Sequence, residues 1–204
     1  MNLSYRLGFA FFKSVARGFF NYRTIGDREP INQKGAALIV CNHASFLDPP
    51  LVGIAFDEDI YYLAKKTLFE TSLGNAIYRS WNAIPVDQEK ADMSSLKTVI
   101  RLLQKGKKVL IFPEGSRTPN GSYLPAQPGV GFILSKTKVP VFPMKILGTH
   151  EALPLGGKAI HPVEVKVIIG NAWHYDESKY TETGKDLYQR ISDDLMAEIA
   201  ALHD

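Results

Sequence analysis

A histidine and an aspartate five positions apart, His43 and Asp48, mark the segment Asn42-His43-Ala44-Ser45-Phe46-Leu47-Asp48 as one that could do chemistry. An imidazole held in one tautomer by a carboxylate is a general base for proton transfer near neutral pH. Five residues of straight helix would turn Asp48 roughly 140° away from His43, at about 3.6 residues per turn, so a turn has to intervene. Pro49 and Pro50 supply a reason for one: the residue before a proline is pushed out of the helical region, while proline itself suits the first turn of a helix. Asp48 then ends the turn, its carboxylate free to fold back on the imidazole. The same residues also fit a plainer arrangement, with Asp48 as a helix N-cap and His43 buried at a strand end. A second polar turn carries Glu114, Gly115, Ser116 and Arg117. The Arg117 fork suits a phosphate or carboxylate, and backbone N–H groups around Gly115 add donors. An ion pair between Arg117 and Glu114 on the surface is the competing reading. Lys65 is a further cation, or simply a solvated lysine.

These turns need strands to position them. Residues 36–41 and 108–112 are short apolar runs with β-branched members, as buried strands require. His43 and Glu114 follow them, at the strand ends where open α/β sheets bind ligands. If the two strands lie side by side in a largely parallel sheet, a base and a cation face one cleft. Around them the pattern predicts a short helix over 49–56, a strand over 60–63, helix over 68–81 with a break near Gly74, and a strand over 83–86 whose Pro85 argues for a sheet edge. Met93, Leu96, Val99, Ile100 and Leu103 recur with helical period and Gly106 ends that helix. A glycine-rich loop runs to Gly131, strands follow over 139–147 and 163–169, and Leu187, Ile191, Leu195, Ile199 and Leu202 form the stripe of a last helix. Strands alternating with helices predict an α/β fold: a single domain with a mostly parallel or mixed sheet flanked by helices, over residues 25–204.

Residues 1–24 read differently. Aromatics are frequent, and Arg6, Lys13, Arg17 and Arg23 occur with no acid among them. The charges interrupt the apolar run and leave it short of the roughly 20 residues that span a bilayer; nor does the segment resemble a signal peptide. It is expected to be an amphipathic helix that docks on an anionic membrane surface. The other reading packs its phenylalanines on the body of the protein.

Composition bounds the rest. The 204 residues are 45% hydrophobic, 11% aromatic and 22% charged, which describes a globular domain. A formal charge of +3 permits an anionic partner without pointing to nucleic acid. The single cysteine, Cys41, precludes an internal disulfide or a cysteine metal cage, and a reducing location on the cytosolic side follows. His150, His161 and His174 lack ligand spacing and are expected in loops or at the surface, so no metal is called for.

The chain resembles the glycerolipid acyltransferases typified by 1-acyl-glycerol-3-phosphate acyltransferase. Four blocks carry the resemblance, in the family's order, over roughly residues 25 to 170. Asn42 to Asp48 matches N-H-x-S-x-x-D; Ala83-Ile84-Pro85-Val86-Asp87 looks like the second block; Phe112-Pro113-Glu114-Gly115-Ser116-Arg117 matches F-P-E-G-[ST]-R; and Val139-Pro140-Val141-Phe142-Pro143 looks like the fourth. The first and third together are far more specific than either alone. The resemblance implies that His43, oriented by Asp48, takes a proton from a glycerol hydroxyl as it attacks an acyl thioester, either acyl-CoA or acyl-carrier protein, and returns it to the departing thiolate. Arg117, with Lys65 from the segment Ala64-Lys65-Lys66-Thr67-Leu68-Phe69, would hold the acceptor's phosphate. Glu114, Gly115 and Ser116 would shape that loop, with Glu114 orienting the glycerol or bracing Arg117. No covalent acyl-enzyme and no cofactor are needed: Ser45 lacks the strained glycine elbow of serine hydrolases, and Cys41 lies in an apolar strand. One departure stands out, because the family's second block commonly ends in arginine where this chain has Gln88. The implied acceptor is lysophosphatidate, the product phosphatidate, and the place of work the cytoplasmic face of a membrane, with a peripheral enzyme. Another lysolipid or glycerol-3-phosphate as acceptor, a thioesterase, and a non-catalytic lipid-binding or tethering module are the alternatives.

Overall fold

In the computed structural model, which describes residues 3–87 and 93–204, a seven-stranded mixed sheet organises the chain. Its strands are β1 (Arg23–Ile25), β2 (Ala37–Cys41), β3 (Tyr61–Lys65), β4 (Ala83–Val86), β5 (Lys108–Ile111), β6 (Val141–Leu147) and β7 (Lys166–Ile169). Their spatial order is β1-β7-β6-β2-β5-β3-β4. Five neighbours, β6 through β4, run parallel; β7 pairs antiparallel to β6 and carries β1 parallel to itself. The expected mixed α/β sheet is therefore present, with the direction reversed on one side only.

β2 lies at the centre and all five of its residues are buried. A strand covered on both faces has no reason to alternate, and its unbroken apolar run is the signature of that position. Ala37, Ile39 and Cys41 join one core with Ala16 and Phe20 and with Leu51 and Val52. Leu38 and Val40 join the other, with Val99, Leu103, Ile133, Ile191, Leu195 and Ile199. The first face is covered by α1 (Leu3–Phe19) and α3 (Asp48–Gly53), with the short α2 (Glu29–Asn32) beside them. The second is covered by α5 (Met93–Gln104), α6 (Gly129–Thr137) and α8 (Gly184–Ala201). Pro85 lies in β4, at the sheet edge where a missing donor costs nothing.

Helix α6 corrects an expectation, since its residues were read as glycine-rich loop and approach to a strand. Gly131 is a packing position rather than a turn. A Cβ there would lie 2.0 Å from the carbonyl oxygen of Tyr188 on α8, and the Gly131 N–H donates to buried Ser192 Oγ at 3.0 Å. Glycine is what lets the two helices touch backbone to backbone. Gly131→Ala is expected to force them apart and to cost upward of about 2 kcal/mol through overpacking, measured as a lower midpoint in urea unfolding; an unchanged midpoint would contradict this packing. Three short elements are additional to those expected: β1, which begins inside the segment 1–24 expected to be an amphipathic helix, α2, and α7 (Thr149–Ala152). The break expected near Gly74 falls earlier, between a 3-10 turn (Lys66–Phe69) and α4 (Ser72–Ser80), where Thr71 Oγ1 caps the Gly74 N–H at 3.0 Å. Strand β7 begins at Lys166 rather than at residue 163.

Helix α1 divides the two readings of the N-terminus between its faces. Tyr5 and Ala16 are buried, and Phe9, Phe12 and Val15 pack on the first core. Leu3, Leu7, Phe11 and Phe19 remain exposed.

Candidate active site

Register brings the two polar turns together. Val40 of β2 pairs with Ile111 of β5, so the residues three further along each strand, His43 and Glu114, leave the sheet at the same level. The first turn is anchored from below by Asn42, whose Nδ2 donates to the Ile146 carbonyl at 2.9 Å and whose Oδ1 accepts from the Ile146 N–H at 2.8 Å. A side-chain amide thereby continues the β2–β6 ladder for one more step, and His43 starts from a fixed point.

Asp48 opens α3 and is completely buried. Its Oδ2 lies 2.8 Å from His43 Nδ1 and also accepts the N–H groups of Ala44 at 2.6 Å and Ser45 at 2.7 Å. One oxygen thus closes the turn and orients the ring. A carboxylate only accepts, so Nδ1 carries a proton, and in the neutral imidazole the lone pair is then on Nε2. Nε2 has no hydrogen-bond partner among the described residues and is not enclosed, and the His43 side chain is 16% exposed. The other face of the imidazole is held by Phe112, stacked with ring centroids 4.0 Å apart and planes 15° from parallel.

The second turn holds the first by its backbone. Glu114 is 3% exposed; its Oε1 accepts the His43 N–H at 2.7 Å and its Oε2 the Leu124 N–H at 2.7 Å. Burial raises its carboxyl above the usual range, and these two bonds pull it back. The Thr118 N–H donates to the His43 carbonyl at 3.0 Å. Both main-chain groups of His43 are therefore fixed by this turn. Gly115, at φ +73°, makes the bend that a side chain would strain. Arg117 stacks its guanidinium over Phe46, 3.7 Å from the ring centroid, and forms no ion pair with any described residue. Partial burial lowers its pKa while nearby Asp48 pulls it up, so a cation without an ion pair among the described residues stands within electrostatic reach of the carboxylate that orients the imidazole. Such an arrangement can take a proton from a hydroxyl and hold a dianionic group close by.

The Acyltransferase family model matches residues 23–147, a span that contains both turns. The chain belongs to the acyltransferase family. A 1-acyl-sn-glycerol-3-phosphate acyltransferase of Bacillus subtilis (strain 168) is 32% identical over 149 residues, 72% of each chain. One of Cocos nucifera is 31% identical over 134 residues, which are 64% of this chain and 44% of the plant protein. Against the second the chain spans less than half of the relative. The crystal structure of the 1-acyl-sn-glycerophosphate (LPA) acyltransferase PlsC from Thermotoga maritima has the same fold, with a TM-score of 0.74 over 98% of this chain and 81% of that one, at 23% identity.

Within this acyltransferase fold the expected residues gather unequally. His43, Asp48, Glu114 and Arg117 converge; Gly115 and Ser116 are exposed on the same turn. Lys65 ends β3 at the same sheet edge, its side chain exposed and without a hydrogen bond or ion pair to any described residue. Gln88 lies outside the described residues. The ion pair between Glu114 and Arg117 is not formed: each Glu114 oxygen accepts a backbone N–H group instead. Asp48 is not the cap of α3, which has Leu47 at that position. Ser45 Oγ is used up between the Leu153 carbonyl and the Leu47 N–H, and burial pushes the Cys41 thiol well up, so neither is a free nucleophile. His150, expected in a loop or at the surface, lies in α7 with its Nδ1 buried. Two contributors escaped the sequence reading, Phe46 under Arg117 and Phe112 against His43. An exposed aromatic inside a polar turn was the signal available for Phe46.

Proposed function

We propose that this chain transfers a fatty acyl group from an acyl thioester, acyl-CoA or acyl-carrier protein, to the free hydroxyl of lysophosphatidate, giving phosphatidate at the cytoplasmic face of a membrane. The observation that carries the reading is the open Nε2 of His43, backed by Asp48, with Arg117, unpaired among the described residues, stacked over Phe46 of the same turn. In this reading Nε2 removes the hydroxyl proton as the oxygen attacks the thioester carbonyl. The tetrahedral intermediate then collapses, the C–S bond breaks, and the proton passes from the imidazolium to the thiolate. Arg117 grips the acceptor phosphate, and exposed Lys65 adds a second cation from the neighbouring strand. Glu114 acts by positioning His43 through its backbone. Both substrates carry acyl chains, so the enzyme must meet a leaflet. No helix among the described residues is long and apolar enough to cross a membrane, and the exposed, acid-free face of α1 suits surface attachment.

The test is thiol release from one acyl thioester with a panel of acceptors. Release that requires lysophosphatidate supports the transferase; acceptor-independent release makes the protein a thioesterase; no release with any acceptor leaves a lipid-binding module.

A further inference from the structure

Resting on the membrane-surface reading above, we propose that the leaflet is met by two helices, with α4 seated on it beside α1. Helix α4 has no buried residue. Its two large aliphatics point away from the protein: Leu73 is 72% exposed and Ile77 36%. With Ala76 they occupy positions i, i+3 and i+4, one face of a helix. The helix is held by its other side, where Tyr78 meets Phe69 with ring centroids 5.6 Å apart. An amphipathic helix ordinarily turns such a stripe inward; here it is turned outward.

Helix α1 presents a matching stripe in Leu3, Leu7 and Phe11, spaced four apart and each more than 60% exposed. Ser4 shares the face of Leu7 and Phe11, Ser80 shares the face of Ile77, and their hydroxyl oxygens lie 2.8 Å apart. The two apolar stripes thus sit on adjoining helices that meet at a pair of serine hydroxyls.

Charge selects the occupant. Neither helix contains an acid; Arg6, Arg17 and Arg79 are exposed on them, and exposed Lys65 and Lys66 lead towards α4, against the single acid Glu70. A second copy of the chain would bring these cations against their own kind, whereas an anionic leaflet gains from each of them. Geometry gives the arrangement a purpose. One helix lying on a bilayer is a line about which the protein can roll, and two define a plane. Because α4 starts one 3-10 turn after β3 leaves the sheet, this plane fixes the roll of the edge that carries His43.

The experiment is sedimentation with vesicles of phosphatidylglycerol and phosphatidylcholine, using the wild type, L73E/I77E on α4 and L7E/F11E on α1, each checked for unchanged circular dichroism. L73E/I77E is expected to lower the partition coefficient about tenfold or more, from lost apolar insertion plus added negative charge. Partition of L73E/I77E within about twofold of wild type, with L7E/F11E impaired, leaves α1 as the sole anchor and overturns the proposal while the membrane reading stands. Absence of wild-type binding overturns both. A concentration-dependent dimer that L73E/I77E dissociates, without vesicle binding, assigns the surface to a second copy instead. A check that adds no charge is Leu73→Cys labelled with an environment-sensitive dye, since buried Cys41 is shielded from label: a blue shift on adding vesicles is expected, and an unchanged spectrum refutes insertion of α4.

Discussion

Replacing His43 with alanine is expected to lower kcat for acyl transfer by about 10²- to 10⁴-fold, the range supplied by a positioned general base, while the protein stays folded. The fold is expected to survive because the turn does not depend on the imidazole. Asp48 Oδ2 still accepts the N–H groups of Ala44 and Ser45, Glu114 still accepts the N–H at position 43, and Thr118 still donates to the carbonyl there. Only the ring, its bond to Asp48 and its stack on Phe112 disappear. Thiol release with saturating lysophosphatidate, beside a thermal melt of the same sample, checks both halves. Turnover close to wild type would remove the base assignment, whatever the melt reported.

Arg117→Ala is expected to act on acceptor affinity. A charge-assisted hydrogen bond contributes about 1.5–3 kcal/mol, so KM for lysophosphatidate should rise roughly 10- to 100-fold, with a much smaller change in kcat. The guanidinium is available for this because Phe46 supports its face while no carboxylate among the described residues occupies its edge. A lysolipid without a free phosphate monoester should feel the substitution far less. Equal losses for both acceptors would mean that Arg117 shapes the turn rather than gripping the phosphate.

The candidate site was legible because its two halves are local. Asn42 to Asp48 closes on itself through one carboxylate oxygen, and the prolines after it force the turn that an uninterrupted helix would forbid. The role of Glu114 was not legible, since its partners, the backbone N–H groups of His43 and Leu124, lie 71 and 10 residues away and carry no side-chain signature. Gly131 misled for a related reason. Glycine serves turns and close approaches alike, and only the carbonyl of Tyr188 distinguishes them.

By itself, the sequence determined the α/β alternation, the buried central strand and the chemistry gathered at two strand ends, all consequences of periodicity and of bonds spanning a few residues. Tertiary structure alone decided the strand order, the reversal at β7, the engagement of Glu114 with the His43 backbone and the meeting of α1 and α4 at Ser4 and Ser80. Each of these joins segments distant in the chain through backbone groups or surfaces that every residue type can offer, so nothing in local composition could announce them.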